Sequence, residues 1–183
     1  MADSNITKKA LASALKELMN EKPFEKINVG DICDKCEMNR KSFYYHFKDK
    51  YDLVNWIFDT EFIAIARKEA NQDIWTLVEV LCNYFYANRN FYKKALCIKG
   101  QNSFSDHFRE ILFPTIVNRM NHILDKGEIS DFQVTFMADA VVMAFQRWLV
   151  DSVMLPEEFI KQMRLSIKYV STRYEEIIEK TCR

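Results

Sequence analysis

Glycine and proline are scarce in this chain, and each occurs three times in 183 residues. Both residue types mark turns and interrupt helices, so a chain with so few of them contains few tight turns. A strand-rich fold needs more of them, because each hairpin requires a turn. The sequence therefore predicts an all-α fold in which long helices are joined by short connections.

Side chains that cap helices divide the first third of the chain. Asn28, Asn39 and Asp49 each precede a segment with helical apolar periodicity, and asparagine and aspartate are favoured at helix N-termini. Upstream, an apolar helical stripe ends before Pro23, because proline disfavours helix in the residue before it. We predict four helices here, at 6–20, 29–36, 40–47 and 50–71.

The rest of the chain shows helical periodicity throughout. Pro156 suits a first helical position, whereas Pro114 lies inside a predicted helix and should kink or split it. Gly100 and Gly127 predict breaks between helices. We predict helices at 74–89, 91–98, 105–126, 130–154 and 156–179. The chain thus divides into an N-terminal three-helix domain at 5–65 and a C-terminal helical domain at 72–183.

Positive charge is concentrated in one short segment. The formal net charge is zero, with 26 basic and 26 acidic side chains, which argues against a histone-like protein that binds DNA through bulk charge. Residues 38–50 nevertheless carry four basic side chains and one acidic one. The sequence therefore predicts a local cationic surface on the third helix.

Residues 28–47 predict a helix-turn-helix, whose second helix enters the major groove of DNA. Its apolar side chains can pack in one core with Leu15 and Leu18 of the first predicted helix. They are Ile32, Cys33, Cys36, Phe43 and Phe47. Its outward side chains are Arg40, Lys41, Ser42, Tyr45 and His46. Arginine can bind guanine edges with two hydrogen bonds, and the other types more often hold phosphates. Asn28 and Lys50 lie at helix N-termini, where backbone N–H groups favour anions. This pattern indicates a DNA-binding regulator.

The run Phe43-Tyr44-Tyr45-His46-Phe47, followed by Lys50 and Leu53, resembles the helix-turn-helix of the TetR/AcrR transcriptional regulators. Val29-Gly30-Asp31-Ile32 is similar to the start of the second helix in that family. The resemblance implies an Ω-shaped homodimer that binds double-stranded DNA at a near-palindromic operator. It also implies phosphate contacts from Tyr44, Tyr45, His46 and Lys50, and it places Arg40 and Lys41 where family members contact bases.

Two residues depart from the family pattern. The family often has Ala-Gly in the turn between the two helices, where this chain has Cys36-Glu37. Glu37 must then adopt any positive-φ conformation that the turn requires, at some cost in strain. The family also favours glycine at the position of Lys41, so the base contacts cannot be carried over by analogy.

The C-terminal part resembles regulators grouped with a dihydroxyacetone kinase operon activator, through residues 84–96 and Arg147-Trp148-Leu149. The family default is a repressor released by a small-molecule effector, whereas one member of this group is an activator that works through a partner protein. The resemblance therefore predicts a repressor released by a small-molecule effector, with an activator or co-regulator that acts through a partner protein as the alternative. Pockets between helices are mostly apolar with a few polar anchors, although the same side chains can simply form a core. The predicted pocket residues are Trp75, Phe85, Tyr86, Phe104, Phe108, Met143, Arg147 and Trp148, and Asn88, Gln101 and Gln146 are further candidate anchors.

The last two predicted helices carry apolar faces. In the family, the corresponding helices pair with their symmetry mates in a four-helix bundle, although such faces can also complete the core of a monomer. Two-fold symmetry would match operator half-sites spaced by about one helical turn or a multiple of it.

Other chemistry has little support in the sequence. Cys33 and Cys36 form a Cys-x-x-Cys pair, for which we considered packing, thiol sensing and metal binding; packing is favoured because the second pair of a zinc site is missing. Five scattered cysteines and a polar N-terminus predict a cytoplasmic protein with free thiols. We expect no cofactor, no membrane span and no enzymatic activity, because no phosphate loop or catalytic triad signature occurs.

Overall fold

The computed structural model describes residues 2–66, 73–123 and 129–181, and it describes side chains at 4–66, 73–118 and 129–169. These residues form nine α-helices and one turn of 3-10 helix, with no strand. The N-terminal helices are α1 (Ala2–Glu21), α2 (Val29–Lys35), α3 (Arg40–His46) and α4 (Lys50–Ala66), with the 3-10 turn at Phe24–Lys26. The others are α5 (Ile74–Ala87), α6 (Arg89–Ala95), α7 (Phe104–Ile123), α8 (Asp131–Asp151) and α9 (Pro156–Thr181). The predicted all-α fold is confirmed.

The three predicted caps begin the helices as expected. Asn28 accepts a hydrogen bond from the backbone N–H of Asp31, whose carboxylate accepts one from the N–H of Asn28. Asn39 accepts from the N–H of Ser42, and Asp49 accepts from those of Tyr51 and Asp52. These bonds satisfy N–H groups that have no partner within the helix. They fix the starts of α2, α3 and α4 from local sequence alone.

The turn between α2 and α3 contains the strained residue that the sequence predicts. Glu37 has φ of 56°, in the left-handed region, which is unfavourable for any residue with a Cβ. The backbone N–H of Met38 returns to the carbonyl of Cys33 and closes the turn. The expectation that glutamate would adopt a positive φ here is therefore confirmed.

The three N-terminal helices and α4 enclose an apolar core that positions α3. Phe43 is completely buried, and Phe47 packs on it and on Trp56. The predicted core is confirmed in its buried members, Leu15, Leu18, Ile32, Cys33, Phe43 and Phe47, with Cys36 partly buried beside them. Because these residues fix one side of α3, its other side must face away from the domain.

The C-terminal helices pack around a cluster of aromatic rings. Phe85 lies 4.5 Å from Tyr92 and 5.4 Å from Phe108, measured between ring centroids. Phe58 of α4 contacts the same rings, so the two domains share one continuous core. α4 therefore packs against both the helix-turn-helix and the C-terminal helices.

The short helix α6 is hydrogen-bonded both to α1 and to the C-terminal end of α8. Arg89 donates to the carbonyls of Leu149 and Ser152 at the C-terminal end of α8. Lys94 donates to the carbonyl of Met19 near the end of α1. Both cations thus satisfy carbonyls that lie at or near helix C-termini, which the helix dipole favours.

A chain of hydrogen bonds also crosses between the domains. Lys16 of α1 binds both carboxylate oxygens of Glu61, at 2.6 and 2.8 Å. The hydroxyl of Tyr84 donates to Glu61, and the hydroxyl of Tyr92 lies 2.7 Å from that of Tyr84. Burial raises the pKa of Tyr92 above its ordinary value, so this hydroxyl stays protonated.

The structure excludes one of the two outcomes expected at Pro114, a split of its helix. Pro114 does not split its helix, since α7 continues through it. Pro114 and Glu110 are both exposed, so water can satisfy the Glu110 carbonyl that the proline leaves without a donor. Gly100 lies between α6 and α7 with φ of 117°, so the predicted break is confirmed. Residues 67–71 of the predicted fourth helix, and the predicted break at Gly127, lie outside the described residues.

Candidate nucleic-acid interface

The outer face of α3 presents cationic and aromatic side chains to solvent. Arg40 and Lys41 are exposed, Tyr44 is 59% exposed and Tyr45 is 82% exposed. Ser42 and His46 are half-buried, with the His46 ring edge-on to that of Tyr45 at 4.8 Å. Since solvation of a large apolar ring is unfavourable, Tyr45 stands out as a side chain that a partner surface would cover.

Two of the residues predicted to contact DNA take part in hydrogen bonds that cap the N-termini of helices. The Ser42 hydroxyl donates to the Asn39 side chain at 3.2 Å, within the cap of α3. The Asn28 side chain caps α2, and the carboxylate of Asp31 occupies the same helix end. Hydrogen bonds from Lys22 and from the Asn28 backbone lower the pKa of Asp31. A carboxylate at this position weakens the attraction of α2 for a phosphate.

The ammonium of Lys50 is directed into the protein. Its Nζ donates to the carbonyls of Phe24 and Ile27, each at 2.7 Å, and lies 4.3 Å from the centre of the Phe24 ring. Burial lowers the pKa of this ammonium group. Lys50 thus attaches the start of α4 to the 3-10 turn that precedes α2. Lys48, two residues earlier, is exposed.

The predicted pocket residues fall into three settings. Phe85, Phe104 and Phe108 are buried in mutual contact, with ring centroids 5.4 to 6.3 Å apart. Trp148 stacks on Phe159 at 4.3 Å and on Tyr86 at 6.1 Å. By contrast, Met143 and Arg147 are exposed on α8, and Trp75 is half-buried beneath Arg164. The structure therefore does not bring the eight residues together around one cavity.

Two shallow clefts lie elsewhere on the described surface. One, of about 310 Å³, is lined by residues 86–91 with Lys16 and Asn20, so it includes the predicted residues Tyr86 and Asn88. The other, of about 300 Å³, is lined by residues 21–25 with Lys94 and Cys97. Gln146 contacts the Cys97 sulfur at 3.4 Å, and Gln101 is exposed. Both clefts lie where α6 meets the N-terminal domain.

The paired cysteines of α2 face the protein interior. Cys33 is buried, and the Cys36 thiol donates to the carbonyl of Ile32 at 3.2 Å. Burial raises the pKa of both thiols, which disfavours the thiolate that metal binding and redox exchange require. Within the described ranges, no group of three or more potential metal ligands occurs.

Apolar side chains remain exposed on α8 and α9. Phe132 is 77% exposed and stacks on Phe136, which is 62% exposed, while Met143 and Val150 lie further along α8. Leu165 and Tyr169 are exposed on α9. Clusters of exposed apolar side chains such as the Phe132–Phe136 pair are typical of sites of association. In the part of the chain that the structure describes, no helix has the length and apolar character needed to cross a bilayer.

Some residues of this region give little signal in the sequence. Gly30 is buried beneath the Arg40 guanidinium, although it resembles an ordinary helix position. Glu61 and Tyr84 lie on separate helices, and nothing in their spacing predicts that they meet. One feature of the sequence does single out Gly30. It is the second residue of a helix that Asn28 caps, where a better helix former is expected.

Comparison with known proteins agrees with this architecture. Residues 11–57 match bacterial regulatory proteins of the tetR family, and residues 73–169 match a transcriptional regulator C-terminal region. The chain is 29% identical over 133 residues to the HTH-type dhaKLM operon transcriptional activator DhaS of Lactococcus lactis, covering 72% of this chain and 68% of that protein.

Solved structures share the fold. A TetR transcriptional regulator from Streptococcus agalactiae matches with a TM-score of 0.69 and 21% identity, over 88% of this chain and 93% of the other. The dihydroxyacetone kinase operon activator DhaS matches with a TM-score of 0.58 and 23% identity, over 91% and 97%. The two family matches together cover most of the sequence. This chain belongs to the TetR family of transcriptional regulators.

Proposed function

We propose that this regulator binds operator DNA directly through the outer face of α3. The exposed cationic and aromatic side chains of that face carry the proposal, because they are held outward by the buried Phe43 and Phe47. Arg40 and Lys41 contact base edges, and Tyr44, Tyr45 and His46 hold phosphates. The hydroxyl of Ser42 and the side chain of Asn28 keep their capping bonds and border this surface.

The proposed DNA-bound form is a homodimer that recognises a near-palindromic operator. Its interface is formed by the exposed apolar faces of α8 and α9, including Phe132, Phe136 and Leu165. A two-fold axis presents two copies of α3 to half-sites about one helical turn, or a multiple of it, apart.

We favour activation over repression as the mode of regulation. The relative with 29% identity is described as a transcriptional activator. In addition, the aromatic positions that could have lined an effector pocket, such as Phe85 and Phe108, are filled by rings in contact. Release of a repressor by a small effector bound among these rings would first require the core to open.

The experiment is selection of bound sequences from a random duplex library by the purified full-length protein. The selected duplex is then titrated against salt, where the logarithm of affinity should fall linearly with that of salt concentration. Tyr45→Ala with His46→Ala should weaken binding to all sequences, while Arg40→Ala should mainly relax sequence preference. Lys99→Ala, which removes a charge from an exposed site between α6 and α7, is the matched control and should change neither the affinity nor the sequence preference.

Two outcomes would contradict the proposal. Failure to enrich any sequence would exclude direct operator binding by the protein alone. Unchanged affinity and preference in all α3 variants would exclude α3 as the reader. The mode of regulation is tested separately, by expression of a reporter under the selected operator: loss of expression on deletion of the regulator supports activation, and a gain supports repression.

A further inference from the structure

The Arg40 side chain, at the start of α3, occupies the space next to Gly30, in the first turn of α2, that a side chain at position 30 would need. A methyl group built on Gly30 would lie 2.5 Å from Nη2 and 3.2 Å from Cζ of Arg40, and 2.8 Å from Oδ1 of Asn28. All three distances are shorter than ordinary van der Waals contact, and the two below 3.0 Å are closer than a real Cβ approaches. The Arg40 guanidinium therefore lies in the volume that any other residue at position 30 would fill.

The backbone does not explain the glycine. Position 30 lies in the first turn of α2, and its φ is outside the left-handed region where glycine is favoured. Glycine is among the poorest helix formers, so its presence weakens α2. The local feature that makes use of the missing side chain is the close approach of Arg40.

Charge does not hold the guanidinium there either. Among the described residues no carboxylate lies within 4 Å of Arg40, since the ion pairs of this region join Lys22 to Asp31 and Lys35 to Glu17 and Glu21. The N-terminus of a helix also repels a cation. Shape therefore sets the position of the guanidinium, and its N–H donors remain available to a ligand.

We infer that Gly30 is a specificity-determining residue, which acts by setting the position from which Arg40 reads a base. This inference rests on the proposed function, because it requires α3 to bind DNA. The three atoms nearest to a methyl group at position 30 belong to the side chains of Arg40 and Asn28, so a larger residue there displaces these side-chain tips before it displaces the backbone. Bidentate hydrogen bonds to guanine depend on distance and angle, so displacement of the tip weakens the preference at that base pair.

The test measures base preference in four full-length proteins: the wild type, Gly30→Ala, Arg40→Ala and the double variant. The probes are the selected operator and its single-base-pair variants, used in competition. We expect Gly30→Ala to reduce the preference by about 5- to 100-fold at the same base pair that Arg40→Ala affects. The double variant should show no more loss than Arg40→Ala alone, because the glycine acts only through the arginine.

Two controls separate this role from a structural one. Ser13→Ala changes a small exposed residue on α1 and should leave every preference intact. The slope of affinity against salt should be the same for Gly30→Ala and the wild type, since no phosphate contact is removed. Gly30→Ser serves as a second variant with the same expected effect.

Three results would overturn the inference. The first is an unchanged base preference in both position-30 variants. The second is a further loss in the double variant, which would place the effect in the Asn28 cap or the backbone. The third is no altered preference in Arg40→Ala. These results differ from failure of the proposed function, in which the wild type itself would select no sequence.

Discussion

The hydroxyl pair of Tyr84 and Tyr92 gives a quantitative prediction about stability. Glu61 is the acceptor for the single proton of Tyr84, so Tyr92 must donate to the Tyr84 oxygen. The two hydroxyls are therefore unequal. The Tyr84 hydroxyl both donates and accepts a hydrogen bond, whereas the hydroxyl of the fully buried Tyr92 has Tyr84 as its one partner among the described residues.

The two single phenylalanine substitutions should differ in cost. Tyr84→Phe leaves the Tyr92 hydroxyl buried without a partner, which costs about 1–3 kcal/mol. Tyr92→Phe leaves the bond from Tyr84 to Glu61 intact, and should cost about 0.5–1.5 kcal/mol. The double variant removes both hydroxyls and leaves no buried hydroxyl without a partner. Its loss in free energy of unfolding should therefore not exceed that of Tyr84→Phe. The two effects are then non-additive by about 0.5 kcal/mol or more.

The assay is urea unfolding followed by tryptophan fluorescence, using the three tryptophans of the chain. Protein concentration is held constant, because association makes apparent stability concentration-dependent, and equal m-values are required for comparison. Tyr45→Phe removes a hydroxyl from a side chain that is 82% exposed, so its stability should match the wild type. Additive costs, or a larger cost for Tyr92→Phe, would refute the assigned direction of the hydrogen bonds.

Three further predictions follow from local features. Glu37→Gly should raise the free energy of unfolding by about 1 kcal/mol, because glycine relieves the left-handed backbone, whereas Glu37→Ala should give no gain in thermal unfolding. Cys97 is exposed, while burial raises the pKa of Cys82 to about 12. Iodoacetamide at pH 8 should therefore modify Cys97 well before Cys82 in mass-spectrometric mapping, and equal rates would contradict this. Hydrogen bonds from Ser103 and Arg109 lower the pKa of Asp106 from 3.8. The stability that this carboxylate contributes is present above pH 3.8 and is lost as pH falls through the lowered value, so Asp106→Asn should flatten thermal stability against pH in that range.

Features that depend on neighbouring residues were predictable from the sequence. The caps at Asn28, Asn39 and Asp49 act over three residues, so their chemistry is visible in the sequence. The positive φ of Glu37 was expected from the resemblance, because the family often has glycine at that position of the turn. The outward face of α3 follows from the period of its apolar side chains.

Features that depend on distant contacts were not predictable. The direction of the Lys50 ammonium is set by carbonyls more than 20 residues earlier in the chain. The space above Gly30 is taken by a side chain from the next helix. Pro114 was expected to kink or split α7, but whether the helix continues through it depends on whether the carbonyl it affects faces water. None of these conditions is encoded in a local pattern.

The attachments of α6 limit which changes in chain length this helix can accept. Arg89 and Lys94 are five residues apart, which places them about 140° apart around the helix axis. One residue inserted between them would rotate one cation relative to the other by about 100° and move it by about 1.5 Å. Either the bond to α8 or the bond to α1 would then be lost. Substitutions at the exposed Asn90 should be accepted in related sequences, while insertions and deletions between positions 89 and 94 should be rare.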